Sequence, residues 1–268
     1  MPKPNYIELP TGERIPILYE DRSVIAIDKP RGWMLAPLSW QKTSRNLQAA
    51  LTSSIAAKDF WARSRGLKYL RFVHRLDADT TGILLLAKSV GAVTTYGELF
   101  ESRKMEKVYL AVVQGAPKQQ EWTCRLKLGP DANVRGKMRV DPQGGKEAES
   151  HFRVLQSNER TTLIKAYPLT GRTHQIRVHL AESGHPVVGD ELYGKANVKT
   201  GPREQQRTPH PGPLPLGSGE GAAPLENLGL RAISLAYTDP FTRRWVQIRA
   251  PSEEFLREYG FERRPNDE

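Results

Sequence analysis

VHRLDADTTGILLLAK, the stretch from Val73 to Lys88, places His74, Arg75 and Asp77 directly in front of a continuous aliphatic run. A short apolar run bounded by turn residues is typical of a strand buried on both faces. Reactive side chains just before the start of such a strand would lie at the edge of the core. Asp77 is therefore the first candidate for chemistry, although Asp and Thr in this context can also simply cap a turn.

The sequence on either side predicts a mixed α/β fold (α+β) with a long, mainly antiparallel central sheet flanked by helices. Short β-rich runs recur with turn residues between them, which favours antiparallel pairing. The sequence predicts helices over Ser44–Ser64, Val90–Arg103 and Ser252–Tyr259. A further helix is predicted to begin near Thr173. The strand-like runs are Val24–Ile27, GILLLAK, KVYLAVVQG, EWTCRLKLG, ESHFRVLQ, TTLIKAYPL, AISLAYT and RWVQIRAP.

The chain is expected to form one catalytic domain over residues 17–260. Residues 1–16 would be an N-terminal extension and residues 261–268 a C-terminal tail. Residues 196–227 are rich in proline, glycine and polar side chains, a composition that predicts a disordered surface insertion. Strand-like runs resume after it, so the insertion would interrupt a single domain at a small cost in closure entropy.

Composition favours a nucleic-acid partner. Among 268 residues, 40 Lys and Arg face 30 Asp and Glu, which leaves a formal charge of +10. The polar, proline-broken N-terminus resembles neither a secretion signal nor a membrane span, and the rest of the chain has no apolar run of membrane-spanning length. The single cysteine, Cys124, fits a reducing cytoplasm. We expect a cytoplasmic monomer without membrane association.

A nucleophilic carboxylate needs a fixed cation beside it, and arginine offers a planar, two-pronged partner. The segment GRTHQIRVHL supplies Arg172 and Arg177, although an arginine on a helix is ordinarily a surface residue. His174 and His179 stand five positions apart, whereas zinc-binding histidine pairs on helices prefer spacings of three or four. A metal site is therefore not expected.

Four segments in this order resemble the motifs of the RluA-type RNA pseudouridine synthases. HRLDADTTG is similar to the catalytic motif of that family, DKPRGW to its first motif, KVYLAVVQG to the segment with its active-site tyrosine, and LTGRTHQIRVHLAESGHPVVGDELYG to its third motif. They extend from about Ile17 to Pro251, which is most of the chain. Four motifs in order are far more specific than any one of them.

The resemblance implies a pseudouridine synthase-like fold with a catalytic cleft across the sheet. It also implies a cofactor-free isomerase that converts uridine to pseudouridine in structured ribosomal or transfer RNA. Asp77 would be the nucleophile and would attack either the sugar or the base. Arg177 would pair with Asp77, and Tyr109 would pack on the uracil and help to remove its proton.

The remaining residues of these motifs are assigned supporting roles. Arg75 matches a position suited to fill the space left by a flipped base, with an internal salt bridge as the alternative. Lys29 and Pro30 are assigned to packing and turn geometry, with an RNA contact as the lesser alternative. Four further residues are expected to support the site or to bind RNA phosphates: His74, Arg172, His174 and Gln175.

The chain departs from the family pattern in two places. Arg231 and Asp239, in LRAISLAYTDP, replace the usual Leu-His-Ala and His-Pro patterns, which should affect substrate contacts or local packing more than activity. The segment GWMLAPLSWQ lacks the usual Val-His-Pro. No S4-type RNA-binding module is expected before the catalytic part, so target choice would fall to its own loops and basic surface.

Two other functions would share some of these features. A catalytically silent RNA-binding protein of the same fold would keep the cleft, although binding alone does not require a carboxylate facing phosphates. A base-excising hydrolase would also break a glycosidic bond, but such enzymes normally need a second carboxylic acid. Asp79 is the candidate for that second acid, and free uracil would be the distinguishing product.

Overall fold

The computed structural model describes residues 2–35, 45–194 and 227–262 of the chain. The strands are β1 Tyr6–Glu8, β2 Arg14–Glu20, β3 Val24–Lys29, β4 Arg71–Phe72, β5 Thr81–Ala87, β6 Glu106–Gln114, β7 Glu121–Pro130, β8 Met138–Val140, β9 Lys146–Ser157, β10 Thr161–Pro168, β11 Leu230–Thr238 and β12 Trp245–Arg249. The helices are α1 Leu47–Ala56, α2 Phe60–Arg63, α3 Val90–Glu101, α4 Gln175–Glu182 and α5 Glu253–Glu258.

The twelve described strands form one sheet in the order β1-β2-β3-β5-β11-β6-β10-β9-β7-β8, with β12 also paired to β11 and β4 to β5. Every pairing among them is antiparallel except that of β5 with β11. The predicted long, mainly antiparallel sheet with flanking helices is therefore confirmed.

The β5–β11 contact joins the N-terminal strands of the sheet to the C-terminal ones. Thr81 and Gly82 lie opposite Arg231 and Ala232. Gly82 has a φ of +103°, and a Cβ atom there would lie 2.1 Å from the Ala232 carbonyl oxygen. The glycine of the LDADTTG turn thus lets β11 approach closely. After it, residues 83–87 of β5 are almost entirely buried, as predicted for a strand covered on both faces.

Two large apolar clusters hold the sheet against its helices. The first combines β3 and β5 with α1, α2 and α3, and buries both Trp61 and Tyr96 completely or nearly so. The second lies between α4 and the strands β6, β9 and β10, and includes Ile176, Leu180 and Phe152. α3 packs on β5 and α4 packs on β9 and β10. A cleft remains between the two helices, and residues of β6 and β11 line it.

None of the described helices is long and apolar enough to cross a bilayer.

The sheet begins earlier than the sequence predicted. β1 and the start of β2 lie within residues 1–16, and Ile7 and Ile15 are fully buried there. β1 is only three residues long and pairs with β2 alone. Because β1 and β2 come first, the strand that was expected to be the first, at Val24–Ile27, is the third. The predicted domain boundary at residue 17 falls inside β2.

The helix predicted over Ser44–Ser64 is two helices, α1 and α2. Lys58 adopts a left-handed backbone with φ of 57°, which ends the first helix and turns the chain before the second. The other predicted helices and most strand runs are found within a few residues of their expected bounds. The predicted insertion at 196–227, apart from Asn227, and the tail after Glu262 lie outside the described residues.

Arg231 and Asp239, which form the first departure from the family pattern, both take part in local packing. The Arg231 guanidinium donates to Asp28 Oδ2 at 2.7 Å and to the Pro251 carbonyl at 2.9 Å, so it ties β11 to β3. The buried Asp239 carboxylate accepts hydrogen bonds from the Tyr96 hydroxyl and from Thr242 at the end of β11. Of the two expectations, local packing is the one that the geometry supports.

Candidate active site

Lys29, the last residue of β3, holds the loop that carries Asp77 in place through hydrogen bonds. The Lys29 ammonium is fully buried and donates to the carbonyls of Pro30, Ala78 and Thr80 at 3.0, 2.6 and 3.0 Å. Burial lowers its pKa to about 8, a change that the charges of nearby aspartates partly oppose. Lys29 therefore shapes the turn around Asp77, in agreement with its predicted structural role.

Arg177 lies on α4 and reaches Asp77 across the cleft. Its Nη1 donates to Asp77 Oδ2 at 3.0 Å, and the Arg177 side chain is only 9% exposed. The surface position that would be usual for a helical arginine is therefore excluded. The predicted pairing of Asp77 with Arg177 is present, over a separation of 100 residues in sequence.

The other side of the same guanidinium is held by Asp190, a residue that the sequence alone did not indicate. Arg177 Nε and Nη2 donate to the two Asp190 oxygens at 2.7 and 2.8 Å. The Asp190 side chain is completely buried, and Oδ1 also accepts the backbone N–H groups of Leu192 and Tyr193. Burial disfavours the Arg177 cation, but the hydrogen bonds and charges of Asp190 and Asp77 outweigh it and raise its pKa further.

His174 immediately precedes α4 and lies beside the carboxylate of Asp77. Its backbone is left-handed, with φ of 54°. The ring shares a hydrogen bond of 2.9 Å between Nδ1 and the Tyr193 hydroxyl, and its Nε2 is 3.7 Å from Asp77 Oδ1. Burial lowers the pKa of His174, so the imidazole is largely neutral at physiological pH. The Arg177 guanidinium stands over the Tyr193 ring, 5.2 Å from its centroid.

Tyr109 lies on β6 and contributes its half-buried ring to the cleft. Burial raises the pKa of its hydroxyl well above the usual value, and the nearby Asp77 charge adds to this rise. The resting side chain is therefore a neutral phenol. This state suits a ring that packs against a base better than a side chain that removes a proton.

Two residues of the HRLD motif occupy different environments. The Arg75 side chain is exposed at the cleft and forms no ion pair with any described residue, which argues against the internal salt bridge. His74 stacks on Phe100 with ring centroids 4.5 Å apart, and its Nε2 accepts the Leu85 backbone N–H. Burial lowers the pKa of His74 to about 3, so it supports the loop as a neutral ring.

Gln175 organises the loop between β10 and α4. Its side-chain oxygen accepts hydrogen bonds from the Thr170 hydroxyl at 2.6 Å and the Arg172 backbone N–H at 3.0 Å. Its amide nitrogen donates to the Glu149 carbonyl and the Ser150 hydroxyl. With these contacts made inside the protein, Gln175 fits the structural alternative. Arg172 lines the cleft and donates one N–H to the Glu147 carbonyl.

The cleft is a cavity of about 480 Å³ that brings the predicted residues together. Asp79 is exposed and does not line it, so it is not placed as a second acid beside Asp77. Within the described part of the chain, no three His, Cys, Asp or Glu side chains are grouped so as to hold a metal ion. The predicted site residues that line the cavity are His74, Arg75, Asp77, Tyr109, Arg172, His174, Gln175 and Arg177.

A family model described as RNA pseudouridylate synthase matches residues 23–182, which contain Asp77, Tyr109 and Arg177. The chain belongs to this family. The predicted resemblance to RluA-type enzymes is confirmed by similar curated proteins, which include a dual-specificity RNA pseudouridine synthase RluA of Vibrio cholerae, 34% identical over 69% of this chain and 70% of that protein.

Other members of the family also match this chain. The ribosomal large subunit pseudouridine synthase C of Vibrio parahaemolyticus is 32% identical over 90% of this chain and 66% of its own length. The uncharacterized RNA pseudouridine synthase YhcT of Bacillus subtilis is 35% identical over 69% of this chain and 60% of its own. The chain thus spans less than two thirds of the length of each of these two relatives.

Solved structures of family members share the fold. Human RNA pseudouridylate synthase domain containing 4 superposes with a TM-score of 0.67, at 23% identity, over 91% of both chains. Human RNA pseudouridylate synthase domain containing 1 gives a TM-score of 0.61, at 24% identity, over 88% of this chain and 83% of its own. The predicted pseudouridine synthase-like fold is confirmed.

Proposed function

We propose that this protein is an RNA pseudouridine synthase that isomerises specific uridines in structured RNA, with Asp77 as the nucleophile. The observation that carries the proposal is the pairing of Asp77 with Arg177 in a cavity that Tyr109 also lines, with Arg177 held from its buried side by Asp190. Membership in the family supports the same reaction. The proposed reaction calls on no cofactor, because Asp77 supplies the nucleophile that breaks and re-forms the bond to ribose.

The Arg177 guanidinium orients Asp77 and is itself fixed in place by Asp190. Two of the Arg177 hydrogen bonds go to a buried carboxylate, so only Nη1 is directed to Asp77. A charge-assisted pair of this kind fixes the direction of a carboxylate oxygen as well as its charge. The second Asp77 oxygen, 3.7 Å from His174 Nε2, lies on the other side of the same carboxylate.

The reaction breaks the bond between the uracil nitrogen and ribose, turns the base, and joins ribose to carbon-5. The hydrogen on carbon-5 is lost as a proton and the freed nitrogen gains one, so atoms balance without a co-reactant. Asp77 would form a covalent bond to either the sugar or the base and release it again. Tyr109, as a neutral ring beside Asp77, would hold the uracil by packing.

The target uridine would have to leave its stack to enter the cavity, at a cost of a few kcal/mol. Arg75 is suited to fill the vacated space because it is exposed beside Asp77 and forms no ion pair among the described residues. Ribosomal RNA is the first candidate substrate, since one relative is named for the large ribosomal subunit, and transfer RNA is the second. We expect a cytoplasmic monomer.

Mapping of pseudouridine tests this proposal in cells. Total ribosomal and transfer RNA would be compared between cells with and without the gene, and the gene would then be restored. The proposal predicts that a discrete pseudouridine disappears and that the wild-type gene restores it. An unchanged map, with RNA still bound by the purified protein, would instead indicate a catalytically silent RNA-binding protein.

A further inference from the structure

Two basic side chains line the same cavity but have no part in the array around Asp77. Arg103 lies in the turn between α3 and β6, and Lys107 lies on β6, two residues before Tyr109. Alternate residues of a strand project to the same face, so Lys107 and Tyr109 stand side by side about 7 Å apart along the strand. Lys107 therefore lies next to the proposed position of the uracil, and Arg103 lines the same cavity.

Lys107 is held in place by the loop that also carries Arg172. Its ammonium donates to the Thr170 carbonyl at 2.9 Å, and this is its only hydrogen bond within the described residues. An ammonium has three N–H donors, so two remain for a ligand. The Thr170 hydroxyl in turn donates to Gln175, so that Lys107 is tied to the network that positions the start of α4.

Neither cation is neutralised within the described residues. Arg103 and Lys107 form no salt bridge there, although the exposed Glu101 also lines the cavity. The pKa of Lys107 is lowered to about 8, first by burial and then by the positive charge of Arg103. Burial and the charge of Arg103 both disfavour the Lys107 ammonium, and an anion bound between the two cations would offset both effects.

We propose that Arg103 and Lys107 form a phosphate-binding site for the RNA backbone adjacent to the target uridine. The inference rests on the proposed function, because it assumes that the uracil lies on Tyr109. Arg103 is exposed and can reach a phosphate from the solvent side, while Lys107 approaches it from within the cavity. The site would hold the strand so that the ribose faces Asp77.

The test is the salt dependence of RNA binding by single variants. Removal of one phosphate-binding side chain should reduce the slope of log Kd against log salt concentration by about 0.7–0.9, and weaken binding roughly tenfold near physiological salt. The ligand would be a short RNA hairpin with uridines in its loop. The variants are Arg103→Asn, which tolerates the left-handed backbone at φ 59°, and Lys107→Met.

The chain offers a matched control in Arg243. It is also an exposed arginine in a left-handed turn, with φ of 61°, but it follows β11 at the end remote from the cavity. Arg243→Asn removes the same charge and should leave the slope nearly unchanged. Lys107→Arg, which keeps the charge, should retain most of the slope that Lys107→Met loses. Thermal melting of each variant checks that the fold is intact.

Folded Arg103→Asn and Lys107→Met proteins with the slope and affinity of the wild type would overturn the phosphate site. Equal losses in Arg243→Asn would overturn it as well, because they would reveal only the effect of net charge. Pseudouridine formation by the wild-type protein, measured in parallel on cellular RNA, separates the two hypotheses. Activity with unaltered slopes refutes the phosphate site alone, whereas altered slopes without activity refute the isomerase alone.

Discussion

Asp190 is the residue on which the direction of Arg177, and hence of Asp77, depends most. Its carboxylate is buried and binds two guanidinium nitrogens. Asp190→Asn should therefore leave Arg177 partly unpaired and poorly aimed. We expect kcat for pseudouridine formation to fall roughly tenfold to a hundredfold with little change in KM, and the free energy of unfolding to fall by roughly 2–4 kcal/mol.

The matched control is Asp79→Asn, which removes an exposed carboxylate from the same loop as Asp77 but outside the cavity. It should keep both kcat and stability near the wild-type values. If Asp190→Asn melted early yet retained the wild-type kcat below its melting temperature, Asp190 would be a stabilising residue only.

His179 on α4 gives a prediction about acid stability. Its ring is completely buried, and neither ring nitrogen has a hydrogen-bond partner among the described residues. Burial lowers its pKa to about 4 from the usual 6.5. Between these values the unfolded chain binds the proton more tightly, so this histidine makes the protein less stable as pH falls from 6.5 towards 4.

His179→Leu and His179→Gln should remove the part of the acid-induced loss of stability that His179 causes. The loss of unfolding free energy between about pH 7 and pH 5 should shrink by roughly 1–2 kcal/mol in urea titrations. His74, whose pKa is lowered to about 3, remains in all three proteins, so the difference isolates His179. An identical acid-induced loss in both variants and the wild type would refute the assignment.

The sequence could identify the proposed reactive residues but not all of their partners. The Asp77–Arg177 pair was predictable because the proposed nucleophile and its cation lie in two separate, specific motifs. Asp190 also lies within the third motif, yet no local pattern indicates that it is buried against Arg177. Lys107 precedes a recognisable tyrosine by two positions, but its contact with Thr170 depends on strand pairing between β6 and β10.

At the level of elements, the contact of β5 with β11 depends on Gly82. A side chain there would require a left-handed backbone and would collide with the Ala232 carbonyl at 2.1 Å. Gly82→Ala should lower the free energy of unfolding by at least about 2 kcal/mol in urea titrations. Pseudouridine formation should fall as well, since Asp77 precedes this strand.

Gly91→Ala is the corresponding control. Gly91 lies in α3 with nothing within 4 Å of the added Cβ, so alanine should be neutral or stabilise the helix by up to about 1 kcal/mol. A Gly82→Ala protein as stable as Gly91→Ala would show that β11 can move away without cost, and the close approach would then be unimportant.

Elements with strong local signals were predictable, and those that depend on distant partners were not. β5 is a continuous apolar run, and α3 has a serine N-cap with clear spacing. β1 and β8 have three residues each, too few for a periodic pattern, and they form because a neighbouring strand offers hydrogen bonds. The break between α1 and α2 is set by the backbone of Lys58.

Across the whole molecule, the site exists only where the two parts of the sheet meet. Asp77 precedes β5, Tyr109 lies on β6, and β11 pairs with both of these strands. The mixed fold class could be predicted from the pattern of strand-like and helical segments, and the cleft could be predicted from the resemblance to known motifs. The strand order was not, because β11 comes late in the chain yet occupies the middle of the sheet.

The central claim is that Asp77 performs an isomerisation in RNA. The most direct measurement is tritium release from RNA labelled at carbon-5 of uridine, isolated from cells that lack the gene, with purified wild-type and Asp77→Asn proteins. We predict release and matching pseudouridine with the wild type, and none with Asp77→Asn despite unchanged RNA binding and melting temperature. Turnover by Asp77→Asn, or free uracil in place of pseudouridine, would contradict the account.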